Sequence, residues 1–469
     1  MTLTISRILH AGYVFACDGT RIAFDPIVEN PFSRNCHAFP DVAFDLAQFR
    51  AQHFDAVFIS HFHDDHCSFD SLDLIDRATP LYVYCIFDAL FALLRELGFV
   101  NVYPLTLDVP VRIGAITVTP RRADDADVDS LFQVQAAGMN VLNVVDAWIA
   151  PETLPLLARF APWDMVLWPF QTMRETDVLA PTRAPRAAVT LPEEWAAQLQ
   201  ALRPRYVVPS SCQFVQEPWS WYNHALFPVS YRQFADELAG WLPEATLLRL
   251  NPSVSVALDA AGARAAPPLP WVLPIGPQDV DYDYHAQATV PTTAAIARHF
   301  PALSSAQAAR VRTWCDAGLA ARYGALEAPE DSYFDVPRVW RLSVFDHDGG
   351  GTHYRYLLDG ERATPLADGD TAAPAWTTEI PAAKLYAALD LGEALTSLYL
   401  RINDYAFDAA TDAELALADL IDDPLVRCLY NDRFGAYQAA QLRRLRAGAP
   451  QAAANKPASA STATGAPSA

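Results

Sequence analysis

Residues 58–69 read FISHFHDDHCSF, and this stretch restricts the chain more than any other. Three histidines and two aspartates, His61, His63, Asp64, Asp65 and His66, crowd into six positions. They follow the apolar run Asp55-Ala-Val-Phe-Ile-Ser60, whose β-branched and aromatic residues and lack of helical period predict a buried strand. Ser68 then stands where it would cap a short helix. The nitrogen and carboxylate groups therefore fall on a tight loop between a strand end and a helix start. Read as H-x-H-x-D-H, the spacing lets His61 and His63 point towards one cation, and Asp65 and His66 towards a second. Imidazole with carboxylate suits zinc, iron or manganese and not calcium. Two such divalent ions, Zn or Fe with Mn possible, would lower the pKa of a shared water. A solvated, histidine-rich loop before a helix is the plainer alternative.

The surrounding pattern is mixed. Residues 4–26 alternate apolar runs with turns, including Asp18-Gly19, and predict short strands joined by hairpins. Segments 43–51, 151–160, 192–202 and 230–242 look helical, whereas 164–168, 205–209 and 246–249 look like strands. Two sets of strands with interspersed helices predict stacked sheets covered by helices over residues 1–259. Residues 260–280 are rich in Ala, Pro and Gly and read as a linker. A second α/β region is expected over 281–446, closed by the amphipathic AYQAAQLRRLRAG, and a disordered tail over 447–469.

Composition narrows the partners. The 469 residues hold 55 acidic and 34 basic side chains, a formal charge of -21, which disfavours nucleic acid or an anionic membrane surface. A small-molecule substrate remains open, because only the local pocket matters to it. The seven cysteines are widely spaced and form no C-x-x-C pair, so reduced thiols are expected. The N-terminus lacks a basic segment followed by an apolar one, and no apolar run is long enough to span a bilayer. A soluble, cytoplasmic protein is the expectation.

The H-x-H-x-D-H loop with its flanking strand and helix resembles the metallo-β-lactamase superfamily. LHAGYVFACDGTRIAFDP is similar to that family's opening strands, with His10 and Asp25-Pro26 where members carry G-H-A and D-P. The resemblance covers roughly residues 3–250. It implies an αββα sandwich, here followed by a smaller C-terminal α/β domain, and a dinuclear metal site in which Asp65 is both ligand and catalytic residue. It also implies a bridging carboxylate at a strand end, for which Asp146 in NVLNVVDAW is the candidate. More narrowly, NVVDAW with DSLFQVQ and LRPRYVVPSSCQF resembles the CMP-N-acetylneuraminate hydroxylase-like subgroup.

Two departures from the family pattern stand out. Where a third histidine usually serves the first metal, TPRRADDADVDS has none, leaving Asp124, Asp127 or Asp129 as substitutes in an otherwise solvated acidic loop. Where a last histidine usually follows the strand RYVVP, the chain has Ser210, Ser211 and Cys212, and the next histidine is His224. Cys212 reads as a buried thiol or a ligand, and His224 as a pocket wall or a metal contact. Carboxylates in place of histidines tilt such a site from zinc towards iron or manganese.

For substrate contacts, WPFQTMRETD offers Arg174 for an anionic group and Gln171 for a hydrogen bond, and Trp221 would supply an apolar wall. In the second region, His347 and His353 flank Gly349-Gly350-Gly351, which reads as a tight turn in preference to a metal site. The leading functional expectation is a dinuclear hydrolase of a small ester, lactone, amide or phosphoester. An O2-dependent diiron hydroxylase fed by an external electron donor is the alternative, and a non-catalytic metal-binding protein the third.

Overall fold

A computed structural model describes residues 1–170, 178–182, 190–211, 214–223, 229–283, 289–327, 332–367, 369–404 and 422–448. Strands β1 (Leu3–Arg7), β2 (Tyr13–Cys17) and β3 (Thr20–Phe24) form an antiparallel meander. The β2–β3 turn is Asp18-Gly19, both residues at positive φ (48° and 78°), the geometry that fits a two-residue hairpin to twisted strands. After two short strands, β4 (His37–Ala38) and β5 (Ala43–Phe44), the chain adds β6 (Ala56–Ile59), β7 (Leu81–Val83) and β8 (Val102–Pro104) in parallel.

A second sheet then begins. It is antiparallel through β9 (Val111–Ile113), β10 (Ile116–Arg122), β11 (Ser130–Ala136) and β12 (Met139–Asn143). It continues in parallel through β13 (Met165–Pro169) and β14 (Tyr206–Ser210). The short β15 (Phe214–Val215) pairs with β4, and β16 (Thr246–Leu247) joins the second sheet. Finally β17 (Ser255–Asp259) and β18 (Gly262–Ala266) return to the first sheet. The orders are β18-β17-β1-β2-β3-β6-β7-β8 and β16-β14-β13-β12-β11-β10-β9.

The central strands are apolar throughout because both of their faces are covered. Ala56 and Phe58 of β6 join a core with Ile5, Phe15, Phe132 and Leu167 between the sheets. Val57 and Ile59 face the helices, in a core with Leu90, Leu94 and Phe69. Period-two alternation thus gives two buried faces and a continuous hydrophobic run, as parallel strands require. The αββα sandwich expected from the sequence is what forms.

The stretch 260–280 is built into this sandwich and is no free linker. β18 closes a hairpin on β17, Trp271 is fully buried, and β19 (Val272–Leu273) pairs with β5. Its small residues sit on an edge strand with one side open, which is why it reads as a boundary. The helix after the histidine loop, Phe69–Leu72, also forms, but the Ser68 hydroxyl does not cap it and donates instead to Glu29.

The second region has its own mixed sheet: β20 (Arg338–Phe345), β21 (Gly351–Asp359), β22 (Arg362–Pro365), β23 (Trp376–Pro381) and β24 (Arg401–Ile402), ordered β22-β21-β20-β23-β24. Trp340, Trp376, Leu342 and Tyr356 form its core with helices that include Leu319–Tyr323 and Pro424–Tyr430. The last described helix, Ala436–Arg446, leaves this sheet and lies against Phe69–Leu72 and Asp88–Glu96 of the first region. No helix among the described residues is long and apolar enough to cross a membrane.

Candidate metal centre

Four connections at one edge of the sandwich converge. The β6 strand delivers His61 to His66, the β1–β2 turn delivers His10, the β10–β11 connection delivers Asp129, and the segment after β12 delivers Asp146. His10, Asp65, His66 and Asp146 each place a ligand atom within 4.8 Å of the others, and His61, His63 and Asp129 do the same. The rings of His61 and His66, 4.0 Å apart, join the two groups. Within the loop, His61 and His63 fall in one of these groups, and Asp65 and His66 in the other.

The donor chemistry fits two cations. His10 Nε2 and His66 Nε2 face each other at 3.0 Å, and Asp146 Oδ2 lies 3.0 Å from His66 Nε2 and 3.5 Å from His10 Nε2. Asp65 Oδ2 adds a contact of 3.2 Å to His10 Nε2. In the second group, His61 Nδ1 lies 3.6 Å from Asp129 Oδ1. Asp129 Oδ1 and Asp146 Oδ1 are buried without a hydrogen-bond partner, which is costly unless something else satisfies them. Converging imidazole nitrogens and orphaned carboxylate oxygens are what a cation in each group would satisfy. His10, His61 and His66 are almost wholly buried, whereas His63 is exposed and marks the open side.

Buried groups behind the ligands set their orientation. Asp25 accepts from the Ser60 amide (2.8 Å) and hydroxyl (2.6 Å) and lies 3.0 Å from His66 Nδ1. With the Nδ1 proton held by Asp25, His66 Nε2 is left to face the site, an arrangement typical of metal-ligating histidines. The Ser60 hydroxyl also lies 2.9 Å from His61 Nδ1. Backbone strain collects here: His10, Asp25 and Val145 have φ of 52°, 38° and 64°, costly for a β-branched residue such as Val145. The Asn143 side chain accepts from the Val145 amide at 3.1 Å and supports the turn that presents Asp146.

Electrostatics follow the same division. Burial works against a charged His66, yet the carboxylates of Asp146 and Asp65 raise its pKa well above the ordinary value. Those two carboxylates are in turn held below the ordinary range, against burial, chiefly by His66 and also by His10. Burial lowers His61 well below its usual pKa, with His66 and His63 adding to the effect, so its neutral ligating form is favoured. Burial, together with the charge of Asp146, pushes the Asp129 carboxyl up to about 7.

Of the three aspartates that could replace the missing histidine, Asp129 reaches the site, while Asp124 and Asp127 are exposed. His10, which the sequence offers only as part of the opening motif, stands among the ligand groups; the signal is its place in a G-H-A-like turn. At the end of β14, the Ser210 hydroxyl lies 2.9 Å from the Tyr13 hydroxyl. Gln171, Arg174, Cys212 and His224 lie outside the described residues. Trp221 does not line an open pocket: it is 2% exposed, donates its indole N–H to Val178 O (2.9 Å) and packs against Tyr222, Tyr399 and Arg401. In the second region, His353 Nδ1 lies 2.8 Å from the Ser343 hydroxyl, and no metal-binding group occurs there among the described residues.

Residues 4–211 match the family model described as the Beta-lactamase superfamily domain. Over those residues, less than half of its length, the chain is similar to that domain, and its αββα sandwich is the fold that similarity implies. No curated protein sequence matches the chain. Solved structures similar to part of the chain include Igni18, a metallo hydrolase from the archaeon Ignicoccus hospitalis, at 17% identity over 55% of this chain and 99% of that one, TM-score 0.40. CmlA, a diiron β-hydroxylase from Streptomyces venezuelae, aligns at 18% identity over 55% of this chain and 54% of its own, TM-score 0.38. An isothiocyanate hydrolase from Delia radicum gut bacteria aligns at 16% identity over 55% of this chain and 99% of its own, TM-score 0.40.

Proposed function

We propose that the protein is a dinuclear metal-dependent hydrolase acting on a small-molecule ester, lactone, amide or phosphoester. One observation carries the reading: two adjoining ligand groups, His61-His63-Asp129 and His10-Asp65-His66-Asp146, at one edge of a metallo-β-lactamase-fold domain. Bound there, two divalent ions would supply an activated water near neutral pH and positive charge for a developing oxyanion. The chain's own residues do the rest. Asp25 holds the His66 Nδ1 proton and so keeps Nε2 directed into the site. Asp146, with Oδ2 between His66 and His10 and Oδ1 buried without a hydrogen-bond partner, is proposed as the bridging carboxylate. Asp65, held ionised, is the proposed catalytic carboxylate, orienting water through the oxygen not engaged with His10. Substrate would enter past exposed His63 and the neighbouring Phe87, which is 38% exposed and packs on Phe62 at 5.7 Å. Arg174 and Gln171 are proposed as its polar contacts.

A second reading, an O2-dependent hydroxylase with an external electron donor, is favoured by the His61-His63-Asp129 group. Two histidines and one carboxylate form a donor set suited to non-haem iron. Metal analysis of protein purified without added metal, beside Asp65→Ala and His66→Ala, separates the two. Zinc or manganese near two per chain, falling in both variants, supports hydrolysis and an ester and phosphoester screen. Iron at about that occupancy, with oxygen uptake, moves the assignment to the hydroxylase. A folded protein that takes up no metal even after reconstitution overturns both.

A further inference from the structure

We propose that the closing helix Ala436–Arg446 is a positioning element of the metal centre, with Gln438 and Gln441 setting cation affinity by fixing the loop that carries His61, His63, Asp65 and His66. The inference rests on the dinuclear reading above and adds residues from the far end of the chain to it. Gln438 is 3% exposed and donates through Nε2 to the Phe62 carbonyl at 2.6 Å. That carbonyl belongs to the residue between the two histidines of the first ligand group. Gln441 is fully buried; its Oε1 accepts from the Phe69 amide at 2.8 Å. Its Nε2 is directed at the Ser68 hydroxyl (3.1 Å) and Asp70 Oδ2 (3.0 Å).

The Phe69 amide is one of the first-turn donors that a helix leaves unpaired, and the Ser68 side chain does not cap it. A glutamine more than three hundred residues later therefore does the work of the cap. Further contacts hold this segment and its neighbours. Phe434, just before the closing helix, packs its ring on Phe62 at 4.6 Å and on Phe87 at 4.2 Å. Arg444 pairs with Asp70, and Tyr437 lies under the Arg34 guanidinium at 4.9 Å. Ser33, next to Arg34 in the chain, donates its hydroxyl to Asp64 Oδ1 at 2.8 Å, and Asp64 sits between His63 and Asp65.

Mere docking of an amphipathic helix would need only apolar contacts such as Leu442, which is 4% exposed. Burying two glutamine amides costs side-chain entropy and desolvation, and both place their hydrogen bonds on the loop backbone or the helix start beside it. Groups that hold metal ligands in place from behind typically alter affinity by about 10–100-fold when removed.

The test titrates Zn2+ alone and Co2+ alone into metal-free full-length protein. Wild type is compared with Gln438→Ala, Gln441→Ala and the control Arg446→Ala, whose guanidinium meets Glu96 at 3.1 Å away from the loop. Both glutamine variants should bind about 10–100-fold more weakly and shift the visible spectrum of bound cobalt, while Arg446→Ala matches wild type. If Gln441→Ala does not fold, Gln438→Ala carries the test alone, with faster amide exchange over residues 61–70 of the metal-free protein as its second readout. Wild-type affinity and cobalt spectrum in the glutamine variants would overturn the inference, as would an equal loss in Arg446→Ala. Wild-type protein that binds neither cation would overturn the dinuclear reading first, and this inference with it.

Discussion

Both regions of the molecule bury carboxylates, and they treat them in opposite ways. Asp423 in the second region is fully buried, and each of its oxygens is used within the chain. Oδ1 accepts from the amides of Leu425 (2.9 Å) and Val426 (3.1 Å), and Oδ2 from Trp376 Nε1 (2.7 Å) and the Thr378 hydroxyl. It caps the helix Pro424–Tyr430 and ties that helix to β23. In the first region, Asp129 and Asp146 each keep a buried oxygen with no partner, and Asp146, Asp65, His10 and His66 face one another. A buried polar group satisfied by its own chain stabilises the fold, whereas one left facing other ligands is arranged for something the chain does not supply.

The largest expected effect breaks this contrast at its centre. Asp146→Ala should lose at least one cation per chain by metal analysis and lower turnover by roughly 100-fold or more. Full metal retention would show that Asp146 is not a ligand. Asp423→Ala should do the reverse. It strands the Trp376 and Thr378 donors and removes a helix cap, a loss of about 3 kcal/mol in urea unfolding, with metal content per folded chain unchanged.

The same contrast explains what can be read from the sequence. The loop His61–His66 is legible because its candidate ligands lie close together in the chain and the strand before it, buried on both faces, has a distinctive apolar run. Asp146 is placed only through family resemblance, and Asp129 stands as one of three candidates because an acidic connection reads as solvated. The pairing of His10 with His66 joins residues 56 apart and has no local signature. Ser68 reads as a cap although its hydroxyl goes to Glu29 and Gln441 takes over the Phe69 amide. Glutamines on AYQAAQLRRLRAG look like a polar face, and nothing in that segment tells which loop they meet. Residues 260–280 read as a linker because an edge strand of small residues lacks the alternation that marks β6.

Protonation sharpens the second-region half of the comparison. Burial pushes the Asp423 carboxyl up to about 6 from an ordinary 3.8, so between those values the folded state holds the proton more tightly than the unfolded one. Its contribution to stability is therefore fully present below about pH 4 and is lost as pH rises through about 6. Between the two values the loss approaches roughly 1.4 kcal/mol for each step of one in pH. Asp423→Asn cannot titrate, so urea midpoints of the metal-free protein at acid and neutral pH should converge more in this variant than in wild type. An unchanged pH slope would show that Asp423 is ionised in both states over this range.

The smallest effect concerns two histidines that solvent exposure does not tell apart. His63 and His353 are both exposed, one on the metal loop and one on the β20–β21 hairpin. What separates them is company: the His63 ring lies 4.6 Å from that of His61 with Asp129 nearby, whereas His353 meets the Ser343 hydroxyl at 2.8 Å and the Phe345 ring at 6.3 Å. His353→Ala should cost less than about 1 kcal/mol and leave metal content intact, because a single partly exposed hydrogen bond contributes little. His63→Ala should have a comparably small effect on the stability of the metal-free protein and yet reduce bound metal. If the two substitutions behave alike in metal analysis, the contrast between the regions does not extend to their exposed side chains, and the first ligand group reduces to His61 and Asp129.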